Sequence, residues 1–140
     1  MGSYFRKVSF SSAWNIVRNL SPNFELHSII WFPHHSPKMA YCLLRAMNDR
    51  LLTISRLESY SIIDQDMCVL CYNEPETIHH LFFPCSYSCY IWSLCKLKLG
   101  LSPTVASLHE EALNIKDKFS KKNKCYILAR LVLGGAVWLY

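Results

Sequence analysis

Carboxylates are scarce in this chain. Ten Asp and Glu are spread thinly over 140 residues, and no paired-aspartate signature occurs, so two-metal nucleotidyl transfer has no carboxylate constellation to work with. Room is short as well. The length makes one domain, large enough for a real core but too small to hold both a polymerase and a second module. Long apolar runs are also missing: the last one, Tyr126 to Tyr140, is short for a bilayer and carries Arg130, which predicts a buried helix and no membrane partner. No apolar h-region with a cleavage site opens the chain, and seven cysteines are an odd number. Both features argue against a secreted disulfide scaffold and for an intracellular, reducing compartment. No nuclear signal stronger than a lysine run is present, so nucleus and cytoplasm are not separated. Met1-Gly2 begins as a myristoylation signal does, but Arg6 stands where Ser or Thr is needed.

What is abundant is apolar and aromatic. At 51% hydrophobic and 14% aromatic the chain is no disordered tail. The formal net charge of +5 permits an anionic partner without demanding one, because non-specific nucleic-acid binding needs several phosphate contacts.

The cysteines are not scattered evenly. The stretch CVLCYNEPETIHHLFFPC runs from Cys68 to Cys85 and has the spacing C-x2-C-x8-H-x4-C. Two thiolates two residues apart can point at one ion, and His80 with Cys85 completes a tetrahedron. Such a Cys3His set fills all four positions of Zn(II), so the expected ion is structural, with no small-molecule substrate. Alternatives stay open. His79 sits beside His80, and His80 is preferred for its shorter step to Cys85. Cys89 and Cys95 are substitute ligands in reserve. A redox Cys-x-x-Cys wants a strand-then-helix context, whereas Tyr72-Asn73-Glu74-Pro75 is turn chemistry. Zinc hydrolysis would need an open coordination position and a base, for which Glu74 and Glu76 are the only acids near enough.

Periodicity elsewhere reads as helix. Ser11 and Ser12 cap a segment with Ala13, Trp14, Ile16, Val17 and Leu20 on one face, ended by Ser21-Pro22. An apolar patch follows at Ile29-Ile30-Trp31-Phe32, before a break that leaves His34 and His35 as exposed loop histidines. Ser36-Pro37 starts a helix with Met39, Ala40, Leu43, Leu44 and Met47 inward, and Asn48-Asp49 stops it. Thr53 caps a short helix through Leu57. Ile78 to Phe83 forms a helical turn that presents His80. From Ser86 a longer helix places Tyr87, Tyr90, Ile91, Leu94 and Leu97 or Lys98 on one face, with Gly100 as its stop. Another runs from Leu101 to Ile115, with His109, Glu110 and Glu111 facing water, and Gly134-Gly135 loosens the last helix. The fold class is therefore mostly α, a small helical domain organised around a structural Cys3His zinc site.

Lys116, Lys118, Lys121, Lys122 and Lys124 form the one basic run. A solvated loop is the plainer reading, and a phosphate-binding patch for RNA or DNA the sharper one.

The succession Trp31, Ser36-Pro37-Lys38, Arg50-Leu51-Leu52-Thr53, Cys68-Val69-Leu70-Cys71, Glu76-Thr77-Ile78-His79-His80-Leu81-Phe82-Phe83-Pro84-Cys85 and Ile91-Trp92 resembles the zinc-binding domain that follows the polymerase in plant non-LTR (LINE-type) reverse transcriptases. The likeness implies Cys68, Cys71, His80 and Cys85 as zinc ligands and a non-catalytic role in engaging RNA or DNA beside a retroelement polymerase supplied elsewhere. Leu52 departs from a proline common at that position. The expected division is a zinc-binding domain over 5–99 and a helical C-terminal extension over 100–140, with the lysine-rich loop, cut short of a charged continuation. A protein-interaction module or domesticated fragment without nucleic-acid binding is the alternative.

Overall fold

The computed structural model describes residues 25–119 and 123–140. The expected helix over Ala13–Leu20 lies outside them. Among the described residues the fold is helical, with seven helices: α1 (His27–Ile30), α2 (Pro37–Met47), α3 (Ile54–Ser59), α4 (Ile78–Leu81), α5 (Ser86–Lys98), α6 (Leu108–Lys118) and α7 (Lys124–Leu139). The sole β-type pairing among them is an antiparallel bridge between Met67 and Pro75. None of these helices is long and apolar enough to cross a membrane.

α7 is the hub. It packs most extensively on α2 and also touches α6 and α1. Small residues make the close approach: Ala40 and Ala46 on α2 and Ala129 and Ala136 on α7 are all buried, and Gly134 lies where a Cβ would meet the Met39 Cβ at 3.5 Å. The glycine pair does not break α7, which continues to Leu139; burial of one face compensates for the weak intrinsic propensity. Arg130 is buried with it. Its guanidinium lies 4.1 Å from the Phe32 ring centroid and 3.9 Å from that of Tyr126, and Nη1 donates to the Ser28 carbonyl at 2.8 Å. Burial lowers its pKa.

Four expectations about faces, bounds and caps are corrected. The shared apolar face of α5 is not its buried one: Ser88, Trp92 and Lys96 are buried, whereas Tyr87, Tyr90, Leu94 and Leu97 are exposed. Trp92 decides this orientation, because its indole stacks on Phe83 with centroids 5.2 Å apart. α6 begins at Leu108, not Leu101, because Ser107 and Glu110 form a capping box there. Glu111 on it does not face water; it is fully buried and its Oε1 accepts from Lys96 Nζ at 2.7 Å. Finally, neither Ser36 nor Thr53 uses its side chain as a cap. The Ile54 N–H at the start of α3 is instead bound by Glu76 Oε1 at 3.1 Å, from 22 positions downstream.

Candidate metal centre

The segment from Cys68 to Cys85 is built as two turns facing one another. The Met67–Pro75 bridge and the Glu76 N–H bond to the Asp66 carbonyl, 2.6 Å, close the base of the first turn. Within it the Cys68 N–H donates to Glu74 and the Tyr72 N–H to Cys68, 2.8 and 2.9 Å. This curl forces Tyr72 to φ 55, the left-handed region in which a side chain is uncommon. The second turn is α4. Thr77 caps it by accepting from the His80 N–H at 3.0 Å, and the Cys85 N–H returns to the His80 carbonyl at 2.8 Å. Phe83 bridges this return at φ 82 while fully packed against Trp92.

These turns bring Cys68, Cys71, His80 and Cys85 together, with one donor atom from each lying within 4.8 Å of all the others. Cys68 Sγ and Cys85 Sγ are 4.0 Å apart, and Cys71 Sγ is 3.2 Å from His80 Nε2. A tetrahedral zinc ion with bonds of about 2.3 Å to sulfur and 2.0–2.1 Å to nitrogen holds its donors roughly 3.5–3.8 Å apart. Spacing and chemistry therefore fit one ion. His79, in contrast, is exposed and outside the cluster, and Cys89 and Cys95 do not belong to it either.

The surroundings tune the donors. Burial pushes the Cys68 thiol above its usual range. Cys71 is brought down to about 7, chiefly by the backbone N–H of Asn73 and then by His80, against an opposing desolvation. On the far side of the imidazole, His80 Nδ1 lies 3.1 Å from the Glu74 carboxylate, without hydrogen-bond geometry. A carboxylate that accepts from the free N–H of a metal-binding imidazole fixes its ring and raises its basicity. The sequence offered Glu74 and Glu76 as candidate bases; the structure engages Glu74 with the back of His80 and Glu76 with α3.

The family model described as zinc-binding in reverse transcriptase matches residues 8–92. The chain belongs to this family. The matched span contains the whole zinc-binding segment and ends at Trp92, whose indole closes the far wall of the second turn. No curated protein and no solved structure matches the chain. The matched region is of the zinc-binding type and not the polymerase domain.

Three lysines of the basic run lie among the described residues. Lys116 pairs with Glu25 at 3.1 Å and Lys118 donates to the Gly100 carbonyl at 2.7 Å. Lys124 is exposed at the start of α7, and Lys121 and Lys122 lie outside the described residues.

Proposed function

We propose that Cys68, Cys71, His80 and Cys85 hold one structural Zn(II), and that the domain is a non-catalytic module that engages RNA or DNA beside a retroelement polymerase of the plant non-LTR type. Convergence of the four donors in a chain of this family is the observation that carries the reading. Three thiolates and one imidazole fill the four positions of the ion, which supplies a cross-link and leaves no position for substrate. The residues do the rest: Glu74 stands behind His80 as the acceptor for its free ring nitrogen, Glu76 ties the segment to α3, and Phe83 ties it to α5 through Trp92. In this reading 5–99 forms the zinc-binding unit and 100–140 contributes α6 and α7 to its core. The Pro37-Lys38 step and Trp92 support the finer assignment within the family.

Elemental analysis of purified protein, paired with melting before and after chelation, tests the metal. One zinc per chain and a lower melting temperature after chelation are expected; no metal with unchanged melting would sink the assignment. Binding to RNA and DNA at several salt concentrations tests the rest, since phosphate contacts give a negative slope of log affinity against log salt. A protein-interaction module is the second reading, favoured by the exposed Tyr87, Tyr90, Leu94 and Leu97 on α5. A slope near zero would favour it.

A further inference from the structure

The turn that ends α2 gathers three arginines. Asp49 takes φ 52, and the reversal that follows is held by side chains on both flanks. Arg45 donates through Nε, at 2.9 Å, and Nη2 to the Arg50 carbonyl. Arg56 Nη1 donates to the carbonyls of Asp49 and Leu51 at 2.9 and 3.3 Å. Arg50 itself is exposed, and its side chain has no hydrogen-bond or ion-pair partner among the described residues. None of the three guanidiniums makes an ion pair with a carboxylate there. Tyr41, more than half exposed, stands beside them with its hydroxyl 3.4 Å from Arg45 Nη1. Capping the turn uses part of the Arg45 and Arg56 side chains and none of the Arg50 side chain.

Beside this turn opens a cavity of about 620 Å³, within the range of roughly 300–1,000 Å³ typical of ligand sites. Asp49 belongs to both the turn and the cavity wall. The apolar lining comes from Met47, Ile78, Phe82, Phe83 and Leu108, while Asp49, His79 and His109 supply hydrogen-bonding groups. Phe82, Phe83 and Pro84 lie between His80 and Cys85 in sequence, so the metal-binding segment sets one wall.

We infer that the arginine turn and this cavity form one site for single-stranded nucleic acid, in which Arg50 with its two neighbours holds backbone phosphates and the cavity takes an unstacked base. Guanidinium forks match phosphate oxygens. An apolar lining with a few polar groups suits a splayed base, which a single strand offers and a duplex withholds. The inference rests on the nucleic-acid reading above and adds to the lysine run, of which Lys116 and Lys118 are engaged within the fold, a site around Arg50, inside the span that the family model matches.

The test is fluorescence anisotropy of zinc-loaded full chain with short labelled single strands of RNA and of DNA, and with the matching duplexes, over a range of salt. Single strands are expected to bind more tightly than duplexes, and the RNA and DNA arms show which backbone is preferred. Arg50→Gln should weaken single-strand binding by about five-fold and flatten the salt slope by about 0.7, the share of one phosphate contact. Arg50→Lys should recover only part, because an ammonium lacks the fork. His109→Ala, an exposed position, should weaken single strands and leave duplexes unchanged. Wild-type binding that survives both Arg50→Gln and His109→Ala within about two-fold would overturn this site and leave the nucleic-acid reading standing. No binding by the wild type would remove that reading and this site with it. Melting curves of each variant separate lost contact from lost fold.

Discussion

Cys71 differs from its partners in a way that alkylation can read. With its pKa near 7, the metal-free thiol is about half ionised at neutral pH, whereas Cys68 is buried and raised. Since the thiolate is the reactive form, Cys71 should label before Cys68 and Cys85, its rate should fall as pH drops through about 7, and zinc should suppress the reaction; mass spectrometry of a timed iodoacetamide series checks all three. Lys96 and Glu111 offer a second prediction. Both are buried, the lysine also donating to the Thr104 carbonyl, so Lys96→Met strands a charge and should cost about 3–5 kcal/mol. Adding Glu111→Leu should return part of that loss, as urea unfolding of the single and double variants would show. The clustering of Cys68, Cys71, His80 and Cys85 follows from spacing that is local in sequence. Burial of Lys96 and Glu111 was not legible there, because charge normally marks the solvent face and only the partner, 15 positions away, makes burial tolerable.

At the scale of elements, α5 shows why periodicity alone misplaces a helix. Two apolar stripes are available, and the wider one, through Tyr87, Tyr90, Leu94 and Leu97, lost to the stripe bearing Trp92 because the indole must reach Phe83. The tyrosines tolerate water because each carries a hydroxyl. Caps misled for a related reason: Thr53 has the right chemistry, but Glu76 arrives from the zinc-binding segment and takes the N–H. Glu76→Ala should therefore cost about 1–2 kcal/mol and raise amide exchange at the start of α3, while Glu76→Gln should largely preserve both. In α7, a Cβ at Gly135 meets nothing within 4 Å. Gly135→Ala should stabilise the protein by about 1 kcal/mol through helix propensity, a gain that denaturant titration can resolve.

Over the whole molecule the core is closed by its last helix. Arg130 clamps Phe32 and Tyr126 and reaches Ser28. Losing both ring contacts and that hydrogen bond in Arg130→Ala should cost about 2 kcal/mol or more, with little dependence on salt because the cation is buried. The sequence showed Arg130 only as a charge that argued against a membrane span; its partners lie too far away in sequence for any local pattern to reveal them.

That distance has a consequence during synthesis. The Cys68 and Cys85 sulfurs are 17 positions apart, whereas Ser28 waits 102 positions for Arg130. A nascent chain can therefore complete its metal-binding turns on the ribosome while α1 and α2 still expose the surface that α7 will cover. Long-range closure of this kind is slow and leaves apolar surface open in the meantime, so the half-made domain is exposed to aggregation until α7 emerges.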